Sequence, residues 1–398
     1  YISVFVTLMG LLQATLPMLS ELHGAQRHAD MGRLMRQSIY IWLGASALGM
    51  AVLMNAGMAL EWTQVPMALR PTIEHYLDVL AAALPAALAF RLYGNLNQSL
   101  GRPKAVTWVQ LLGLACKIPL SALLTFGWSD HSGWGVVGCA LATLIVNWLM
   151  AAFALLALQR GNYGDLHLWR RIEAPDRSKL AAMLRLGLPN AGSITVEVTS
   201  YTLMALLISR LGSTAAASHQ IMSNMGALLY MVPLSLSIAT SARVSYWIGA
   251  GQPPKARLAI RHGLGWIVTC MAVTASLLAL FKTPIARLYI ENEVVVEMAS
   301  QLLGWLVWYQ SVDALQVFFF FMLRCYRVTI WPMLIYAVLL WGVGLTGGYT
   351  LAYHGLLGSP ALLSPQAFWI SSSTALTVVS ASLGVLLVWV LRTKARDH

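Results

Sequence analysis

Charged residues are scarce in this 398-residue chain. Lys, Arg, Asp and Glu make up 10% of it, whereas a soluble domain carries about 25%. The scarcity is concentrated in stretches that contain none of the four residue types, at 1–20, 37–60, 131–159, 211–242, 262–281 and 328–391. A membrane span needs about 18 or more predominantly apolar residues. Together with a hydrophobic content of 58%, these stretches exclude a soluble enzyme, a disordered chain and a disulfide scaffold.

Cysteine is scarce, and the histidines are not clustered. The four cysteines, Cys116, Cys139, Cys270 and Cys325, occur singly in or near apolar segments, and no pair has metal or disulfide spacing. The nine histidines lie in loops or near the ends of spans, without an HExxH motif. We therefore expect neither a resident metal nor a cofactor. A membrane-embedded enzyme would need His, Asp or Arg clustered at one interface. The sequence shows no such cluster, so we expect a protein that is not an enzyme.

The apolar runs, divided at Pro, Gly and clusters of charge, predict eleven membrane spans. Strands of a membrane barrel would be about ten residues long with strict alternation, which the sequence does not show, so the spans are predicted to be helices. The predicted fold is an all-α polytopic membrane protein. The spans are predicted near 1–22, 38–59, 73–93, 105–127, 135–158, 183–209, 220–246, 258–281, 298–322, 330–354 and 367–391.

The formal net charge of +11 does not indicate nucleic-acid binding, because the basic residues are distributed as in a membrane protein. All but five of the 26 Lys and Arg residues fall on one set of loops and ends, which is typical of the cytoplasmic side. The exceptions are Arg70, Arg210, Lys282, Arg287 and the mid-span Lys117. This distribution predicts a cytoplasmic C-terminus and an external Tyr1. Since the chain opens on Tyr1 within an apolar helix, we expect one further span before it, which would place both termini inside.

The chain resembles itself at a shift of about 225 residues. Gly24-Ala25 and Gly249-Ala250 each follow a span, and Arg36 and Arg261 follow them at the same shift. Repeated helical halves are typical of secondary transporters, whose substrate site lies between the halves. We predict two six-helix bundles with eleven of the twelve helices present. The predicted organisation is an N-terminal bundle at 1–158, a cytoplasmic linker at 159–182, a C-terminal bundle at 183–391 and a cytoplasmic tail at 392–398.

Three ionisable residues are predicted at mid-membrane depth: Glu197, Asp313 and Lys117. Placing a charge at that depth costs about 2.5 kcal/mol or more, so each needs a partner, a wet cavity or a function. A carboxylate there either binds Na⁺ or takes up a proton, and two acids facing one cavity would form a cation or proton switch. Tyr309 and Gln316 lie about one helical turn from Asp313 and would complete an oxygen-rich site suited to Na⁺. Lys117 has either a functional role in a first-half cavity or a structural one.

Two ordered sets of motifs stand out in the second half of the chain. The first comprises Leu188-Pro189, Glu197 and the run at 217–221, and the second is the run at 309–316 followed by Leu323-Arg324. They resemble the seventh-to-eighth helix region and the tenth-helix motif of the MATE (multidrug and toxic compound extrusion) family, in its bacterial NorM-type branch. The resemblance covers essentially the whole chain. It identifies Glu197 and Asp313 as the second-half acids of that branch and places Tyr309 near their cation site.

The resemblance implies export of organic cations or drugs by antiport with Na⁺ or H⁺ through alternating access. It further implies a multi-pass protein of the bacterial inner membrane, and we expect a monomer whose partners are its substrates and membrane lipids. The sequence departs from the family at Lys117, where many members have Asn, and in lacking the family's first helix. The main alternative is a flippase for a lipid-linked oligosaccharide, which would need a more basic cavity, and a channel is a further alternative.

Overall fold

The fold of the chain was determined from a computed structural model that describes residues 1–57, 67–128, 131–161, 163–169, 173–355 and 360–393. Eleven helices in the described residues are long and apolar enough to cross a membrane. The predicted all-α membrane fold and its number of spans are therefore confirmed. Two strands of two residues each, β1 (Gly127–Trp128) and β2 (His131–Ser132), form an antiparallel hairpin that the sequence did not predict. The helices are α1 (Ile2–Gly24), α2 (His28–Met54), α3 (Arg70–Ser99), α4 (Pro103–Phe126), α5 (Gly135–Arg160), α6 (Arg177–Ser209), α7 (Ser213–Gly249), α8 (Pro253–Tyr289), α9 (Glu293–Cys325), α10 (Ile330–Tyr353) and α11 (Gln366–Thr393).

The chain forms two compact units. The first comprises Tyr1–Ala191 with Ile248–Gly251, and the second comprises Gly192–Trp247 with Gln252–His398. One division between the units therefore falls inside α6. Of the predicted linker at 159–182 and tail at 392–398, residues 162, 170–172 and 394–398 lie outside the described residues.

Each unit is organised around one deeply buried helix. In the first unit this helix is α3, which packs against α1, α2 and α5. Within its apolar 18-residue stretch, 56% of the residues are buried. In the second unit it is α9, which packs against α8 and α11. In its apolar 18-residue stretch, 61% of the residues are buried. A helix that is apolar on all sides is stable when protein or lipid surrounds it. Several polar side chains of α9 are buried, and these include the predicted site residues Asp313 and Gln316.

Helix α1 is interrupted at Ala14, between Ile2–Gln13 and Thr15–Gly24. Pro17 causes the break because it has no N–H to donate to the carbonyl four residues earlier. Buried polar groups take part in the irregular turn: the Leu12 carbonyl accepts hydrogen bonds from Thr15 Oγ1 at 2.8 Å and from Asn95 Nδ2 at 3.0 Å. Such partners are required because an unpaired backbone group in a membrane is costly.

Helix α2 starts ten residues before the predicted span at 38–59, because two of its arginines are paired. Arg33 Nε donates to a Glu173 carboxylate oxygen at 2.6 Å, and Arg36 donates to the other oxygen at 2.9 Å. Arg36 also donates to the His167 carbonyl at 2.7 Å. The hydrogen bonds from the two arginines lower the pKa of the Glu173 carboxyl. These contacts attach the segment after α5 to the start of α2.

Glycine permits a very close helix contact at the end of α7. A Cβ added at Gly249 would lie 1.8 Å from the backbone oxygen of Glu21 in α1. Gly251, two residues further, has a φ of +65° and turns the chain toward α8. Glycine meets each requirement without strain: Gly249 has no Cβ to collide with α1, and Gly251 adopts a positive φ.

Candidate functional site

Two acidic side chains meet inside the second unit. Glu197 lies on α6 and Asp313 on α9; both helices have 33 residues, and in each the acid lies nearer the C-terminal end. Asp313 is 4% exposed, whereas Glu197 is partly exposed. The two carboxyl groups are close enough for their charges to interact. Like charges at short range repel, so both acids are expected to be ionised together only with a cation or hydrogen-bond donors nearby.

Gln316 lies beside the two acids. Its Nε2 donates to Asp313 Oδ1 at 3.0 Å, and its side chain is also close to Glu197. The Gln316 carbonyl oxygen accepts a hydrogen bond from the Tyr336 hydroxyl of α10. Gln316 is completely buried. A buried amide with partners on both of its ends is held in one orientation, so it can donate to a carboxylate without reorganising.

Three tyrosines lie near the acid pair. Tyr309 on α9, Tyr230 on α7 and Tyr336 on α10 all lie within electrostatic range of both acids. A set of carboxylate, amide and hydroxyl oxygens has the chemistry that a hard cation such as Na⁺ prefers. In the described part of the chain there is no group of three or more His, Cys, Asp or Glu residues able to hold a metal. Any cation at this site would depend on the neutral oxygens as well as the two acids.

An aromatic cluster packs against the ring of Tyr309. Its ring packs edge-on against Trp369 of α11, with the ring centroids 5.0 Å apart. Trp369 also contacts the rings of Tyr201 and His219, at 6.1 and 5.6 Å. Edge-to-face pairs at these distances are favourable and fix ring orientation. The position of Tyr309 is therefore determined from a helix other than its own.

The structure places four of the five predicted site residues in one region of the second unit: Glu197, Asp313, Tyr309 and Gln316. Lys117 belongs to the first unit, where it is half-buried on α4. In the apolar 18-residue stretch of this helix only 11% of the residues are buried. Sequence reasoning missed Tyr230 and Tyr336. Neither lies within a few residues of an acid in the sequence, and a tyrosine in an apolar span gives no signal of its own.

Comparison with known proteins assigns the chain to a family. The MatE family model matches residues 1–123 and 189–350. A probable multidrug resistance protein NorM of Aromatoleum aromaticum is 35% identical over 395 residues, covering 98% of this chain and 85% of the relative. The multidrug resistance protein NorM of Aliivibrio fischeri is 31% identical over 388 residues, covering 97% and 84%. The chain is a multi-pass membrane protein and belongs to the MatE family.

Solved structures share the fold. The eukaryotic MATE transporter AtDTX14 has a TM-score of 0.86 at 19% identity, covering 99% of this chain and 87% of the other. The Vibrio cholerae MATE transporter VcmN in its bent form has a TM-score of 0.83 at 16% identity, covering 98% and 86%. At such low identity the likeness concerns the fold alone. The family predicted from the sequence motifs is confirmed.

Proposed function

We propose that this chain is a secondary active multidrug efflux transporter that exports organic cations or drugs in exchange for Na⁺ or H⁺. Support comes from the names of its relatives, NorM multidrug resistance proteins, at 31–35% identity over nearly the whole chain. The single observation that carries the ion coupling is the acid pair, Glu197 and Asp313, which lie close together beside Gln316 in a unit built of membrane helices. Acids at that depth in a membrane are costly to keep without a function. On this proposal the protein is not an enzyme.

The acid pair supplies a physical means of coupling. With no cation bound, mutual repulsion disfavours two charged carboxylates, and entry of Na⁺ or a proton removes the repulsion. An organic cation bound near the same acids would compensate the same negative charge. The two ligands therefore compete for one charge, so that ion entry releases the substrate. We propose that Tyr309, Gln316, Tyr230 and Tyr336 provide the neutral oxygens around the ion.

Directional export requires that the two conformations bind these ligands differently. We propose alternating access, in which the two bundles expose the site first to the cytoplasm and then to the outside. The excess of Lys and Arg on one set of loops supports a cytoplasmic C-terminus, and the bacterial relatives support the inner membrane. The predicted linker at 159–182 would then lie in the cytoplasm. We further propose that the protein acts as a monomer.

The test is substrate transport into proteoliposomes under an imposed Na⁺ or H⁺ gradient. We expect gradient-driven accumulation of a fluorescent organic cation by the wild-type protein. Glu197→Gln and Asp313→Asn each preserve size and remove the charge, and both should abolish the gradient dependence. Glu297→Gln is the matched control, since Glu297 lies on the same helix as Asp313, is exposed, and bonds only to Gln301 in the described contacts.

Three outcomes would contradict the proposal. Unchanged gradient-driven export in both acid variants would remove the acid pair from the mechanism. Failure of the wild-type protein to accumulate organic cations, with movement of a lipid-linked sugar between leaflets instead, would favour the flippase. Downhill flux without accumulation would favour a channel.

A further inference from the structure

An apolar groove lies on the outer surface of the second unit, between α10 and α11. Its volume is about 540 Å³. The walls include two exposed tryptophans, Trp331 and Trp389, which are 63% and 62% exposed. Side chains lining the groove include Trp331, Ile335, Ala381, Ser382, Val385 and Trp389. From Ala381 to Trp389 the groove extends about 12 Å along α11.

The groove ends beside a positive charge. Val385, Trp389 and Arg392 are spaced at four and three residues on α11, so they lie on one face of the helix. Arg392 is exposed and lies in the last turn of α11, about 5 Å beyond Trp389 along the axis. The sequence continues with Lys394 and Arg396. Tryptophan prefers the boundary between hydrocarbon and headgroups, so the two tryptophans place this end of the groove at a membrane surface.

We propose that this groove binds an anionic phospholipid, with one acyl chain along α10 and α11 and its phosphate at Arg392. The apolar walls match a hydrocarbon chain, and basic residues beside apolar surface at a membrane boundary attract anionic headgroups. The guanidinium repels an organic cation, so the groove is unsuited to the proposed substrate. With the C-terminus inside, the lipid belongs to the cytoplasmic leaflet. Binding at this site does not depend on the proposed transport activity.

Native mass spectrometry of the full chain tests the site. The purified protein is titrated with phosphatidylglycerol and, separately, with phosphatidylcholine that carries the same acyl chains. We expect one retained phosphatidylglycerol and weaker retention of phosphatidylcholine. Arg392→Gln should weaken phosphatidylglycerol binding about fivefold and leave phosphatidylcholine binding unchanged. Arg261→Gln, at an exposed arginine of α8 that does not line the groove, is the matched control.

A second variant tests the apolar walls of the groove and leaves the buried core residues unchanged. Ala381 is exposed and lines the groove, so Ala381→Phe fills it and should abolish the retained lipid. Ala272→Phe makes the same change on an exposed position of α8 and should have no effect. This pair keeps the proposal testable if Arg392→Gln impairs folding.

Four outcomes would overturn the assignment. They are equal retention of the two lipids by the wild-type protein, an Arg261→Gln loss equal to that of Arg392→Gln, and lipid retention that survives Ala381→Phe. The fourth is a dimer that Ala381→Phe dissociates, which would mean that a second copy of the chain occupies the groove.

Discussion

Gln316 offers a sharp perturbation of the proposed coupling site, because it donates to Asp313, lies close to Glu197 and is completely buried. Gln316→Leu removes the donor while keeping a similar volume. A hydrogen bond to a charged group contributes about 1.5–3 kcal/mol, which corresponds to about 10- to 150-fold in an equilibrium constant. Without the donor, the charged form of the acids is less favourable. We therefore expect the ion concentration for half-maximal transport to change by about tenfold or more.

The sign of the change depends on the ion. For a Na⁺-coupled protein the half-maximal Na⁺ concentration should rise, because the ionised site is disfavoured. For a H⁺-coupled protein the half-maximal proton concentration should fall, since the neutral acids are favoured. The assay is export of an organic cation from proteoliposomes, measured over a series of Na⁺ concentrations and of pH values.

Gln310 provides a matched control on the same helix. It is 5% exposed, and its Nε2 has no hydrogen-bond partner in the described residues. Gln310→Leu should leave the half-maximal ion concentration unchanged. Equal shifts in the two variants, or no shift in Gln316→Leu with the protein folded, would refute the role given to Gln316.

Two further predictions concern stability, measured by thermal unfolding in detergent. Because Glu173 has a lowered pKa in the folded protein, its ion pairs stabilise above the ordinary carboxyl pKa of about 4.3 and are lost as the pH falls through the lowered value. Glu173→Gln should therefore lower the melting temperature at neutral pH and flatten its decline in acid, and an unaltered acid profile would refute this. Gly249→Ala should destabilise the protein by about 1–3 kcal/mol, since its Cβ would collide with the backbone of Glu21. Gly265→Ala, with no atom within 4 Å of its Cβ, should not destabilise, and equal losses in the two variants would contradict the packing argument.

The sequence was sufficient to predict the helices because each crosses hydrocarbon, which demands long apolar runs. The largest difference between a predicted and an observed boundary is instructive. The second span was predicted at 38–59, whereas α2 is His28–Met54. Arg33 and Arg36 were interpreted as loop residues, but Glu173 neutralises them from 137 or more residues away. Pairing between residues so far apart in the sequence cannot be predicted from a local hydrophobic pattern.

The candidate site was predicted in part for a similar reason. Glu197 and Asp313 stood out because charges are rare in apolar spans, and Gln316 because it follows Asp313 by one turn. Tyr230 and Tyr336 reach the acids from other helices through tertiary packing, which periodicity does not predict. The widened π-helical segment Ala337–Thr346 next to Tyr336 was likewise not predicted.

The central claim, that substrate and coupling ion compete for the charge of Glu197 and Asp313, is tested most directly by equilibrium binding. The dissociation constant of a fluorescent organic cation is measured in detergent against increasing Na⁺ and, separately, against decreasing pH. The account predicts that one of the two ions weakens substrate binding in the wild-type protein, and that the double variant Glu197→Gln, Asp313→Asn loses this dependence. Wild-type binding that responds to neither ion, or a double variant that retains the full response, would contradict it.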